Sequence, residues 1–212
     1  MRLCRTVPWP SCESARRGLS GSVQPRCIRH APGRFLEIWT LAHSGTADTL
    51  LQVRRKVKTM KNAQGACICG VVRYEIVAEP ITLFACHCSD CQTVTGSGFV
   101  LALRVPYRGV TVIQGEAKAY ERTEADERKR IIHRCPYCLT VLWSERPDLK
   151  KYVTIYAGTL DDSPTLRPVA HIWARDAQQW MTLPKEALLY DENPSDMQPI
   201  IEAWRRQNAN IA

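Results

Sequence analysis

Cys86-His87-Cys88-Ser89-Asp90-Cys91 puts three thiols within six residues of one short loop, and the rest of the chain is arranged around it. A C-x-C-x-x-C run of this density reads as three ligands for one metal ion. Two further pairs flank it in sequence, Cys67 with Cys69 and Cys135 with Cys138, so the segment carries seven thiols as two, three and two. A zinc ion held by four thiolates is a closed structural site, whereas one held by three protein ligands keeps a fourth position open for water or substrate. Four plus three therefore predicts one scaffold zinc and one working zinc. The count alone does not say which four make the closed set.

A chain of 212 residues with 45% apolar content is long enough for one domain with a real core plus a tail. The formal charge of +8 is placed unevenly: residues 1–59 carry 11 basic against 3 acidic side chains, and residues 60–212 carry 18 of each. A neutral domain is not expected to bind nucleic acid through its phosphates. No apolar run approaches the roughly 20 residues that span a bilayer, so a soluble protein without a membrane partner is expected. C-x-C and C-x-x-C spacings in a non-secreted chain speak for metal binding or redox chemistry, which places the protein in a reducing cytoplasm. Cys4, Cys12 and Cys27 are scattered singly through the basic segment and read as incidental thiols.

Residues 1–59 show no sustained period, and prolines at 8, 10, 25 and 32 interrupt any element that starts, apart from a weak helical stretch over Leu50 to Lys58. The Arg- and Ser-rich composition resembles a mitochondrial transit peptide. Against that stands Met60, followed by a polar lead-in and then the first thiol pair, as an alternative start. The leading expectation is a basic, disordered or non-native extension over 1–59 and a zinc-binding domain over 60–212. From Gly65 the pattern turns to β. Strands are predicted over 71–77, 81–85, 99–105, 110–114, 117–122, 129–133, 140–143 and 152–157, which describes antiparallel, mainly β architecture. Met197, Ile200, Ile201 and Trp204 recur at helical spacing behind Ser195 as cap, predicting a short C-terminal helix on the sheet.

Gly65-x-Cys67-x-Cys69-Gly70, Cys86-His87-Cys88-x-x-Cys91 with Gly96-Ser97, Cys135-x-x-Cys138 with Thr140, Gly158-Thr159-Leu160-Asp161 and His171-Ile172-Trp173 together resemble the glutathione-dependent formaldehyde-activating enzyme family, to which centromere protein V also belongs. The resemblance spans about Gly65 to Pro194. It implies a zinc-binding β-tent fold with two zinc ions. It also implies the partition: Cys67, Cys69, Cys135 and Cys138 on the structural zinc, and Cys86, Cys88 and Cys91 on the catalytic one. The chain departs from the family's common pattern at Arg134 and Leu139, where Phe and Gly are frequent, and at Gln92, where a basic residue commonly follows the thiol loop.

Three thiolates leave a zinc centre with a net charge of about −1, which suits a substrate thiolate better than an acidic bound water. The expected chemistry is that of a carbon–sulfur lyase on a thiol–carbonyl adduct such as S-hydroxymethylglutathione, with glutathione as the small thiol. His87 reads as a loop histidine held by packing or solvent, with proton relay as the sharper alternative. His171 reads as a satisfied core histidine, His133 as a substitute ligand only if a thiol is misassigned, and Asp90 as a cap of the loop. Two other function classes compete. One is a zinc-stabilised binding module without catalysis; the other is a thiol-redox protein using Cys135-Pro136-Tyr137-Cys138, which lacks the expected βαβ setting.

Overall fold

In a computed structural model, residues 60–124 and 127–209 are described; the expected extension over 1–59, its three cysteines and the Leu50 to Lys58 helix lie outside them. Among the described residues eleven strands form two sheets, and a short helix closes the described chain. The small sheet joins β1 (Gln64–Ala66), β2 (Arg73–Ile76) and β5 (Val110–Gln114), all antiparallel. The large sheet begins with β3 (Thr82–Cys86) and β4 (Val100–Pro106), and continues through β6 (Lys118–Thr123), β7 (Lys129–Arg134), β8 (Val141–Glu145) and β9 (Tyr152–Tyr156). With β10 (Ala170–Ile172) and β11 (Leu188–Tyr190) its spatial order is β11-β10-β3-β4-β9-β8-β7-β6.

Mainly β architecture with a C-terminal helix matches the sequence expectation. Antiparallel pairing holds for every pair except β10 with β3 and β10 with β11, which are parallel. Of these, β10 and β11 are three-residue strands, too short to show a period of two. β3 is the centre of the molecule: all five of its residues are buried, in keeping with an apolar run covered on both faces. One cover is α2 (Gln198–Ala209), which presents buried Ile200 and Trp204 and takes a hydrogen bond from the Thr82 hydroxyl to the Ile200 carbonyl. Its start is capped by the Asp196 carboxylate, which accepts from the Gln198 amide at 2.8 Å, rather than by Ser195.

The core lies between the sheets. Tyr74 and Ile76 of the small sheet and Leu83, Leu103, Leu142 and Ile155 of the large one are each fully buried. Each such side chain contributes about 1.5–3 kcal/mol relative to an exposed one. Tyr74 meets Trp143 edge-on at 5.8 Å between ring centroids. The Gly158-Thr159-Leu160-Asp161 turn straps the two sheets together: Leu160 bridges to Gly65, the Asp161 amide donates to the Gln64 carbonyl, and the Asp161 carboxylate pairs with Arg73 at 2.7 Å. The Tyr74 and Thr159 hydroxyls share a 2.6 Å hydrogen bond at the same place. Gly65 has no alternative here, because a Cβ would lie 2.5 Å from the Tyr74 ring and 2.7 Å from the Thr159 carbonyl.

Candidate functional site

The first thiol pair sits on the turn between β1 and β2, the third on the turn between β7 and β8. Each turn is built alike. The Gly70 amide donates to the Cys67 carbonyl and the Leu139 amide to the Cys135 carbonyl, and the residue after the second cysteine is left-handed in both, Gly70 at φ +74° and Leu139 at φ +61°. This backbone aims both thiols of a turn to one side. The Thr140 hydroxyl accepts from the Ile68 amide at 3.3 Å, which joins the turns directly. As a result Cys67, Cys69, Cys135 and Cys138 bring their sulfurs within 4.8 Å of one another, with Cys67–Cys69 at 3.4 Å and Cys69–Cys135 at 3.7 Å. A tetrahedron of sulfurs about 2.3 Å from zinc has an edge of about 3.8 Å, so the two closest separations are of the size such a donor set needs.

The second set departs from the sequence reading in its local structure. Cys86 ends β3 and Cys88 precedes α1 (Ser89–Thr95), while Cys91 lies inside that helix, where a plain loop was expected. The seven-residue helix is too short to display a hydrophobic period, which is why it was not legible. Cys86, Cys88 and Cys91 converge within 4.8 Å, and Cys86–Cys88 is 3.5 Å. All seven thiols are free and none of the quoted separations approaches a covalent sulfur–sulfur bond.

Within each set the thiols compete with one another for protons. Hydrogen bonding with Cys86 and Cys88, and then burial, hold Cys91 strongly protonated. Cys86 is pushed up to about 12, first by its bond to Cys88. Cys88 receives bonds from Cys86 and Cys91 and falls to about 2. In the four-thiol set burial raises Cys69 and Cys135, whereas at Cys138 the bonds from Thr140 and Cys69 outweigh burial and bring it to about 6. One thiolate per cluster is stabilised at the expense of its neighbours, and a divalent cation would remove that conflict by favouring every thiolate together. Positive charge also gathers around the three-thiol set: Arg104 and Arg130 interact electrostatically with Cys86 and Cys91. Arg104 lies over the Phe84 and Tyr152 rings at 4.9 and 4.3 Å.

The histidines resolve into structural parts. His87 is fully buried rather than solvent-held, and its Nε2 lies 2.9 Å from His171 Nδ1. The two rings and the bond from the His87 amide to the Ile172 carbonyl fasten the end of β3 to β10, immediately beside Cys86. His87 Nδ1 and His171 Nε2 have no partner among the described residues. His133 bonds to Glu145 at 2.9 Å and stacks on Trp143, outside both thiol sets. Asp90 does not cap the turn; its carboxylate pairs with Arg122 of β6 at 2.8 Å. A residue that sequence reasoning undervalued is Gln92. Its amide nitrogen donates to the His87 carbonyl at 2.6 Å and the Asp176 carbonyl at 2.8 Å, clasping α1 between two backbone segments.

Among the described residues no helix is long and apolar enough to cross a membrane. The family profile described as "Glutathione-dependent formaldehyde-activating enzyme" matches residues 62–176. A Halomonas elongata protein provisionally named as such an enzyme is 27% identical over 129 residues, covering 57% of this chain and 80% of that one. A crystal structure of a Rhodobacter sphaeroides protein matches with a TM-score of 0.39 and 16% identity, over 60% of this chain and 98% of that one, a likeness too faint to carry an argument. The profile takes in both thiol sets and the strap between the sheets, and on it the chain belongs to the glutathione-dependent formaldehyde-activating enzyme family.

Proposed function

We propose that the protein is a zinc-dependent carbon–sulfur lyase acting on the adduct of a small thiol and a carbonyl compound, such as S-hydroxymethylglutathione formed from glutathione and formaldehyde. The observation that carries this reading is the convergence of Cys86, Cys88 and Cys91 as a set of three, apart from a complete set of four, in a chain of this family. In this proposal Cys67, Cys69, Cys135 and Cys138 hold a structural zinc, and Cys86, Cys88 and Cys91 hold the catalytic one. Zinc bound by the three thiolates would offer its remaining position to a substrate sulfur and favour that sulfur's deprotonated form at neutral pH.

The chain's own residues make the position stiff. Cys86 is fixed by the β3 ladder, Cys88 and Cys91 by α1, and α1 by Gln92. Arg104 and Arg130 offset the charge that three thiolates and a substrate sulfur bring together. In the synthetic direction the sulfur's electron pair forms the carbon–sulfur bond, the carbonyl π pair moves to oxygen, and the proton lost by the thiol ends on that oxygen. In the lyase direction the hydroxyl proton leaves, the carbonyl re-forms and the carbon–sulfur pair returns to sulfur. Free thiols at both sets suit a reducing compartment, so we place the protein in the cytoplasm, with residues 60–212 as the working domain.

The test is a thiol titration of the chain carrying cobalt in place of zinc. Glutathione is expected to add a sulfur-to-metal charge-transfer band that glycine does not, and the zinc-loaded chain is expected to release formaldehyde from S-hydroxymethylglutathione. An unchanged cobalt spectrum with three cysteines shown on the metal would sink the mechanism.

A further inference from the structure

An open cleft of about 630 Å³ is lined by chain neighbours of the three-thiol set and by Cys138 of the four-thiol set. One wall is Val94 and Thr95, which follow Cys91 by three and four residues on α1 and so share its helix face; the Thr95 hydroxyl donates to the Cys91 carbonyl at 2.7 Å. The floor is Val100, paired with Cys86 in the β3–β4 ladder, and Tyr156, paired with Ala102 in the β4–β9 ladder. The cleft therefore borders α1 and β4, the elements against which Cys91 and Cys86 are held, while the thiol that itself lines it is Cys138. Its volume is in the range that encloses a drug-sized or tripeptide-sized molecule.

Arg134 also lines the cleft, half-buried next to the Cys135 turn. The other arginines along this sheet face answer to acids or aromatic rings: Arg130 to Glu124, Arg122 to Asp90 and Glu124, Arg104 to two rings. Arg134 has no hydrogen bond or ion pair among the described residues, and its direct cross-strand neighbour is another cation, Lys118. Lys118 also lacks an acidic partner there and rests over the Tyr120 ring at 5.5 Å. A guanidinium partly withdrawn from water, facing a cavity and reinforced by a second cation, is a receptor for a planar anion, which it grips by two parallel N–H···O bonds.

We propose that Arg134 receives a carboxylate of the thiol substrate, so that the cleft selects acidic, peptide-sized thiols whose sulfur reaches the Cys86–Cys88–Cys91 set. This deepens the functional reading above and rests on it for the position of the sulfur. The carboxylate end does not depend on the metal, and that separates the two.

Binding is measured by calorimetry on the zinc-loaded full chain and on Arg134→Met, with melting curves confirming the fold of both. Glutathione is expected to weaken about tenfold to a hundredfold in the variant, and 2-mercaptoethanol, which has no carboxylate, to bind both chains alike. S-Methylglutathione, which keeps the carboxylates and lacks a free thiol, is expected to bind the original chain and compete with glutathione, and to lose that binding in the variant. Should Arg134→Met fold poorly, glutathione diethyl ester decides on the original chain, where it is expected to bind at least tenfold more weakly than glutathione. Equal binding of glutathione to both chains, or of the ester and the acid, overturns the proposal. If no thiol binds at all, the lyase reading fails, and Arg134-dependent binding of S-methylglutathione still supports the cleft while its absence overturns it.

Discussion

At the scale of single residues, the two thiol sets differ in what their loss should do. The closed set joins turns 66 residues apart in sequence, between Cys69 and Cys135, so its metal-binding energy is folding energy. Apparent values of about 10–16 kcal/mol for structural zinc in small peptides match or exceed the whole stability of a typical domain, about 5–15 kcal/mol. Cys138→Ser is accordingly expected to give unfolded or insoluble protein. Cys91→Ser removes a ligand from a set drawn from one local stretch; it should stay folded, keep about one zinc per chain and lose thiol binding. Zinc content beside a melting curve for both variants checks this, and equal unfolding of the two would remove the distinction between a scaffold and a working site. Gln92 offers a finer probe. Gln92→Ala should cost about 1–2 kcal/mol in denaturant unfolding through the lost hydrogen bonds to two carbonyls and from the Gln178 amide, and Gln92→Glu more, because a carboxylate facing the His87 and Asp176 carbonyls has nothing to donate to them. A glutamate variant as stable as the original would show that this clasp is not formed in solution.

At the scale of elements, the strap and the β3–β10 clasp position the site from opposite ends. Gly65→Ala drives a methyl into the buried Tyr74 ring and the Thr159 carbonyl, and backbone cannot give way as a flexible side chain does. A loss of about 1–3 kcal/mol is expected from such overpacking. Pairing the substitution with Tyr74→Phe in a double-mutant cycle should show strong coupling, since the phenol oxygen is one of the two closest atoms. Simple additivity would place the strain elsewhere. The clasp carries a pH signature. Burial, and then the neighbouring His87, lower His171 from its ordinary value of 6.5. Its folded form therefore resists a proton that the unfolded chain accepts, so its contribution to stability is present above that value and is lost as pH falls below it. Zinc loss in acid acts on every variant, so the comparison is between chains: the fall in melting temperature between about pH 7 and pH 5 should be shallower for His171→Gln than for the original chain. Parallel curves would mean that the histidine pair does not hold its neutral form.

At the scale of the whole molecule, the described core starts at Met60, which is 8% exposed and packs in the main hydrophobic cluster, and the family match starts at residue 62. A chain beginning at Met60 is expected to bind the same zinc and to melt within a few degrees of the full one. Loss of zinc, or a collapsed transition, would show that residues 1–59 belong to the domain. With 18 basic and 18 acidic side chains it should also bind DNA negligibly at physiological salt, and a salt-sensitive micromolar affinity would favour a binding module instead.

What the sequence determined by itself was local or additive. Thiol spacing is set by covalent geometry within a few residues, so seven ligands in the order two, three, two are legible in the chain alone, as are the strands long enough to alternate and the helix with a stripe at Ile200 and Trp204. Meeting in space depends on pairings far apart in the chain. Only the tertiary structure brings Cys69 to Cys135, Gly65 to Leu160 and His87 to His171, because each contact is carried by a sheet register that no single segment encodes. The same reason hid β10, β11 and α1, whose three to seven residues take their conformation from neighbours rather than from a period of their own. It hid Arg134 as well: an arginine beside a metal turn is ordinary in sequence, and becomes a candidate receptor when folding leaves it on a cleft without an acidic partner among the described residues.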